Sequence, residues 1–165
     1  TEVELELQPY DGIGIIFDEN WPSTMPCPDV YGTRKAPLSG EWEITFGEQT
    51  VTSKLKPWRE LFGPCRSGIA TYTYSFELPD FAVNKRLTLE FSRIKDCASV
   101  TVNEKQLSDI VWEPYRVDIT SAVHAGTNRI EVKVANTMLN EFEKNDRDSG
   151  ILSDVYLCIQ ERLEL

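Results

Sequence analysis

From residue 38 onward apolar and polar side chains alternate almost one for one, the repeat of two that a strand with one buried face requires. Trp42, Ile44 and Phe46 alternate with Glu41, Glu43 and Thr45, and Tyr72, Tyr74, Phe76 and Leu78 with Thr71, Thr73, Ser75 and Glu77. Leu87, Leu89 and Phe91 face away from Arg86, Thr88 and Glu90. Val100 and Val102 run into the turn-like Asn103-Glu104-Lys105, Ile130, Val132 and Val134 alternate with Arg129, Glu131 and Lys133, and Val155, Leu157 and Ile159 close the series. No run of similar length has helical spacing. The best helical candidate is a single turn around Ile119-Thr120-Ser121-Ala122-Val123, ended by Gly126. Six or more short strands with frequent turn signals predict an all-β, antiparallel β-sandwich or barrel.

The first 37 residues read differently. Two strand-like runs, Val3 to Leu7 and Ile13 to Phe17, are joined through Pro9-Tyr10-Asp11-Gly12, which predicts an N-terminal β-hairpin extension. A proline-dense stretch follows, Trp21-Pro22-Ser23-Thr24-Met25-Pro26-Cys27-Pro28, which withholds backbone donors and favours an extended linker. The expected division is therefore 1–37, the end of a preceding domain plus a linker, and 38–165, the sandwich. Two long loops interrupt the alternation, Lys56 to Gly68 and Met138 to Ser153, and long loops on a rigid sandwich are where binding usually resides.

Composition narrows the function classes. In 165 residues, 17 basic against 27 acidic side chains leave a net charge of −10, which repels phosphate backbones and anionic lipid, so neither nucleic acid nor membrane is an expected partner. No stretch approaches the roughly 18 apolar residues of a membrane span, and the acidic, strand-like start has no signal-peptide pattern. Four cysteines, Cys27, Cys65, Cys97 and Cys158, are widely spaced without a Cys-x-x-Cys pair. They read as small buried hydrophobes in preference to disulfides.

Candidate chemistry is sparse. His124 is the only histidine and sits in a strand-connecting loop; with no Gly-x-Ser-x-Gly elbow, a Ser-His-Asp arrangement is disfavoured. Carboxylates are abundant, but nothing in their spacing singles out a glycosidase pair, so no catalytic residue is nominated. Asn145-Asp146-Arg147-Asp148-Ser149-Gly150 has the oxygen density of a calcium loop, yet Arg147 falls where a ligand is needed and Tyr156 where a bidentate glutamate should close the loop. No cofactor is expected, with a structural calcium ion on backbone carbonyls left open.

Sugars are held by stacking on Trp or Tyr while Asn, Glu and Arg bond the hydroxyls. Trp42 lies on an alternating face and reads as core. Trp58, beside Pro57 and Arg59 in a long loop, and Trp112, ahead of Glu113-Pro114-Tyr115, read either as platforms or as lids over the open end of the sandwich. The candidate substrate-binding set is Trp58, Arg59, Arg66, Trp112, Glu113, Tyr115 and Asn140.

An ordered series of motifs adds a resemblance. Ser67 to Pro79 resembles the "SGxAxYxxxFxLP" strand of galactose-binding-like, jelly-roll domains in large glycoside hydrolases. Ile94 to Asn103 is similar to their "V.D.AEV.VNG", Trp112 to Thr120 to "W.PP..VDIT", Ala125 to Thr137 to "L..G.N.LEV.V.NT", and Ser149 to Leu152 to "SGLLGPV". Over about residues 38–160 the series looks closest to the C-terminal region of family 106, the α-L-rhamnosidase group, and more distantly to the sugar-binding domain of family 2. Glu104 departs from the family glycine, and Ser153-Asp154 from "GP". In family 2 the loop before the "SGI" motif supplies an acidic group to the neighbouring active site; Lys144 stands at that position, so the role is not carried over.

The resemblance implies a non-catalytic accessory module of a multidomain glycoside hydrolase, with carbohydrate and the parent's catalytic domain as partners and an extracellular or periplasmic bacterial location. A ligand-free interdomain or protein-docking sandwich is the alternative.

Overall fold

The computed structural model describes residues 31–82 and 85–162. The hairpin and linker expected before residue 31 lie outside these described residues. The strands are β1 Tyr31–Pro37, β2 Trp42–Phe46, β3 Gln49–Ser53, β4 Ile69–Leu78, β5 Arg86–Phe91, β6 Ile94–Lys95, β7 Cys97–Val102, β8 Lys105–Gln106, β9 Arg116–Asp118, β10 Gly126–Ala135, β11 Gly150–Ile151 and β12 Val155–Arg162. Two short helices, α1 Trp58–Phe62 and α2 Leu139–Phe142, sit inside the two long loops. Every strand pairing among the described residues is antiparallel.

The alternation becomes two sheets. One has the order β3-β2-β4-β10-β7-β8, the other β1-β12-β5-β9, and a two-stranded β11-β6 ribbon closes one end. Because side chains in a strand point alternately to its two faces, each sheet offers one apolar face, and the sandwich forms by burying both. Ile44, Ala70, Tyr72, Val100, Val132 and Val134 from the larger sheet and Leu87, Leu89, Phe91, Val117, Val155 and Leu157 from the smaller are all buried. Each such aliphatic or aromatic side chain contributes roughly 1.5–3 kcal/mol when fully removed from water. Trp42 is completely buried and stacks on Tyr74, ring centroids 4.7 Å apart, in agreement with its expected core position. The expected helical turn appears as a 3-10 turn at Thr120–Ala122, opened by an Asx contact in which Thr120 N donates to Asp118 Oδ1 at 2.9 Å.

The boundary expected near residue 37 needs correction. Residues 31–37 pair along their whole length with β12, from Tyr31↔Arg162 to Pro37↔Tyr156, and so belong to the sandwich. As an edge strand, β1 needs no apolar alternation and tolerates Pro37, which hid it in the sequence.

Asn128, completely buried, is the hub of one end. Its Oδ1 accepts from Asn103 Nδ2 and His124 N, and its Nδ2 donates to the carbonyls of His124 and Gly126. That network fixes the loop carrying His124, whose ring is exposed. The β7–β8 hairpin turns through Asn103 and Glu104 at φ of 47° and 66°, so Glu104 occupies a left-handed conformation suited to glycine. Glu104→Gly should raise the unfolding free energy by about 0.5–1 kcal/mol, the left-handed penalty relieved less the added chain entropy, as read by urea denaturation. An unchanged or lower midpoint would contradict that assignment.

The outer face of the smaller sheet carries a charge relay. Glu90 on β5 takes Lys35 Nζ of β1 at 2.6 Å and Arg116 Nε of β9 at 3.0 Å. Partial burial pushes the Glu90 carboxyl up, but the hydrogen bond from Lys35 and the charge of Arg116 outweigh it and hold it below the usual range. A carboxyl lowered on folding contributes stability above its unfolded value and loses it as pH falls through the lower folded one. Acid titration should therefore show stability lost below about pH 4.5, with Glu90→Gln flattening that slope; an equally steep loss in the variant would refute the role.

Candidate functional site

The loops of interest gather at the end of the sandwich capped by the β11-β6 ribbon. β10 ends at Ala135, which pairs with Ile69 on one side and Cys97 on the other, so the chain just before β4, just before β7 and just after β10 shares this end. Segment 110–115 is tied to the same region at both of its ends: Ala98 and Ile110 exchange backbone hydrogen bonds of 2.8 and 2.7 Å, and Phe91 N donates to the Tyr115 carbonyl at 2.9 Å. The two long loops are tied together by Ser67 Oγ, which donates to the Thr137 carbonyl and accepts from Glu141 N.

The structure corrects one platform assignment. Trp58 is 1% exposed, and its Nε1 donates to Tyr72 Oη at 2.7 Å, so no face of the indole is free for a sugar. Its backbone N also donates to the Ser149 carbonyl at 3.0 Å. The reason is steric fit around Gly150, which has φ of +105°. A Cβ there would lie 2.5 Å from Trp58 Nε1 and closer still to Tyr72 Oη. The glycine lets the 149–151 backbone pass under the Trp58–Tyr72 pair, and Ile151 N donates to the same Tyr72 Oη at 3.3 Å. Burial pushes the Tyr72 phenol up to about 12, against the lowering effect of the Ile151 and Trp58 hydrogen bonds.

Asn140 is corrected in part. It is only 5% exposed, and its Nδ2 is spent on the Arg147 carbonyl at 3.0 Å and Ser149 Oγ at 3.2 Å, so it holds the loop rather than offering a free amide. Arg66 Nε donates to the Phe62 carbonyl at 3.0 Å and caps α1. Arg59 is exposed, 3.1 Å from Asp148 Oδ1; that contact is an ion pair whose alignment falls short of a hydrogen bond, leaving the buried oxygen otherwise unpartnered.

Trp112 is different. Its ring is 69% exposed, beside exposed Val111 and Glu113, while Tyr115 is half-buried against the core. The expected set therefore divides: Trp58 and Asn140 are buried in the scaffold, exposed Arg66 caps α1 through its Nε, and Trp112, Glu113 and Arg59 reach solvent.

A cleft of about 390 Å³ lies between the 93–96 and 137–149 segments. Its lining includes Arg93, Lys95, Arg147, Asp96 and Asp148, with Asn140 and Ser149 among its polar groups and Leu139 as an apolar wall. Asp96 Oδ2 accepts from Thr137 N at 3.2 Å, and Asp148 faces Arg59, so both carboxylates hold the loops in place. A larger, open trough of about 500 Å³ runs over Thr101, Asn103, Glu104, Arg129 and Glu131, but Arg129 and Glu131 there pair with each other at 3.6 Å. The 390 Å³ cleft is the better binding candidate. Among the described residues, no three of His, Cys, Asp and Glu gather as a metal-binding group. Two oxygens of the calcium-like segment, the Arg147 carbonyl and the Asp148 carboxylate, already have protein partners. Cys65, Cys97 and Cys158 are free thiols.

Sequence reasoning missed Arg93, Lys95 and Arg147 as a group. The only local signal was the spacing of Arg93 and Lys95 about buried Ile94, which sends both to one face of β6 and its approach.

Comparison with known proteins fits this geometry. The family described as the glycosyl hydrolase 2 galactose-binding domain-like family matches residues 66–161, more than half of the chain, and the chain belongs to that family. A Formosa agariphila protein carrying a β-glucuronidase name is 30% identical over 114 residues, covering 62% of this chain and 10% of its own. The rhamnosidase of Novosphingobium sp. PP1Y superposes with a TM-score of 0.68 at 29% identity, over 79% of this chain and 15% of that enzyme. The β-glucuronidase of Ruminococcus gnavus shares the fold at a TM-score of 0.65 and 19% identity, over 81% of this chain and 30% of its own. The chain thus spans about a tenth of the curated relative and under a third of these enzymes.

The Gly150 cradle makes a specific prediction. Gly150→Ala should cost about 3 kcal/mol from crowding and positive φ, and Tyr72→Phe about 2–4 kcal/mol by stranding two buried donors. The double variant should be less destabilised than the sum by at least about 1 kcal/mol, because the phenylalanine removes an oxygen the new methyl would strike. Additive losses in a double-mutant cycle would sink this account.

Proposed function

We propose that the chain is a non-catalytic, carbohydrate-binding accessory module of a multidomain glycoside hydrolase. The observation that carries this is Trp112, an indole two-thirds exposed on a segment bonded to the sandwich at both ends. A solvent-facing indole on a backbone anchored at both ends offers the apolar face of a pyranose ring a stacking surface, and Glu113 beside it can accept hydroxyl hydrogen bonds. Family membership and the glycosidase names of the similar proteins support the sugar chemistry. The engagement of Asp96 and Asp148 within the protein supports binding over hydrolysis, since neither carboxylate stands free as an acid or nucleophile.

Docking on the parent's catalytic domain is part of the same reading. Met138, the N-cap of α2, and Phe142, its last residue, are 54% and 79% exposed at this end of the sandwich, an apolar pair suited to a neighbouring domain.

The test is calorimetric titration of the chain with a panel of plant and algal oligosaccharides, alongside assays with aryl glycosides. Trp112→Ala should weaken glycan binding by about tenfold, the order of a lost stacking contact, with its unfolding midpoint unchanged. Equal binding by the variant would remove Trp112 as the platform, and turnover abolished by removing a single carboxylate would overturn the non-catalytic reading.

A further inference from the structure

We propose that the cleft between residues 93–96 and 137–149 is a subsite for an anionic sugar group, a uronate carboxylate or a sulfate ester, held by Arg93, Lys95 and Arg147. The proposal deepens the carbohydrate-binding reading and rests on it.

The argument begins with charge. In a chain of net charge −10, three cations line one cleft of about 390 Å³, a volume within the usual range of small-ligand sites. Basic side chains elsewhere on the fold mostly face carboxylates: Lys35 and Arg116 meet Glu90, Arg86 meets Asp118, and Lys133 meets Glu131. Arg93, Lys95 and Arg147 have no such partner among the described residues. Two carboxylates share the lining: Asp148 is paired with Arg59, while Asp96 accepts from the Thr137 amide and keeps its charge, so three cations stand against one carboxylate that has no cationic partner of its own. The acidic exterior therefore reverses sign locally, and a mobile anion completes the pairing.

The backbone beneath each cation is fixed. Lys95 pairs with Gly150 in the ribbon, the Arg93 carbonyl accepts from Leu152 N at 3.0 Å, and the Arg147 carbonyl accepts from Asn140 Nδ2 at 3.0 Å. Such anchoring lowers the entropy cost of gathering like charges around a ligand. Two guanidinium forks and an ammonium suit a planar carboxylate or a sulfate, while the Thr137 hydroxyl and the Leu139 wall offer a sugar's hydroxyls and C–H faces their partners. Segment 110–115, bonded to residues 91 and 98 on either side of Arg93 and Lys95, sets Trp112 at the same end.

The experiment titrates the chain with three oligosaccharides of equal length and related backbone: an oligogalacturonate, a sulfated galactan oligosaccharide and a neutral galactan oligosaccharide. At least one anionic ligand should bind about tenfold or more tightly than the neutral one, and raising salt from about 0.05 to about 0.5 M should narrow the gap. Binding of the uronide alone assigns a carboxylate site, and binding of the sulfated ligand alone a sulfate site. Lys95→Ala and Arg147→Ala should each weaken the anionic ligand by about tenfold while unfolding midpoints hold, whereas Lys54→Ala, at an exposed lysine outside the cleft lining, should change nothing. Equal affinity for charged and neutral ligands, or cleft variants that bind like the parent, would overturn the subsite while leaving a Trp112-dependent glycan interaction standing. Failure of every glycan to bind would overturn both.

Discussion

The hydrogen bond between the Trp58 indole and the Tyr72 hydroxyl, closed over Gly150, is the constraint on which this end of the molecule depends. It joins three pieces of chain far apart in sequence: the one-turn helix of the first long loop, the long central strand β4, and the ribbon strand that closes the second loop. Leaving either polar atom alone in the apolar interior would cost about 1–3 kcal/mol, so the pair is stable only when both partners arrive together. From it follow the position of Ser149, whose carbonyl takes the Trp58 amide, and of Asn140, whose amide reaches both Ser149 and the Arg147 carbonyl. The cleft is thus moulded by buried polar contacts before any ligand reaches it.

The division of labour among the charged groups follows the same logic. Glu90 and Asp118 knit β5 to β9, and Glu90 also reaches past β12 to Lys35 of β1, across an exposed sheet face where each contact stabilises modestly because water screens it. At the loop end, Asp148 pairs with Arg59 and Asp96 holds the Thr137 amide, so the three cations of the cleft outnumber its carboxylates and form no ion pair with them. An acidic protein can in this way display a basic recess without any change in its overall balance.

The sheets were legible in the sequence because a repeat of two over five to ten residues has one physical meaning when both sheets must bury a face. The strand β1 was not, because an edge strand on a half-exposed sheet is free of that requirement, and Tyr31 to Pro37 carries no alternation to detect. Trp58 and Trp112 illustrate the limit for sites. Both precede a charged residue near a proline, and nothing local separates them; what separates them is whether a tyrosine from another strand lies within reach of the indole. Asn140 was picked out as a sugar ligand for its chemistry, which is the same chemistry that lets it satisfy three loop oxygens. Arg93, Lys95 and Arg147 are brought together by a two-residue ribbon too short to leave any periodic signal.

The pairing of β1 with β12 sets the first described strand residue, Tyr31, directly opposite Arg162 near the other end of the chain. Two antiparallel strands loaded at the same end of their ladder share force as a zipper does, one rung at a time, not as a rivet line in shear. Tension applied through the flanking polypeptide would peel this edge open sequentially at low force while the central strands stayed seated. The same geometry brings the first and last described strand residues to within about one strand spacing, about 4.8 Å, of each other.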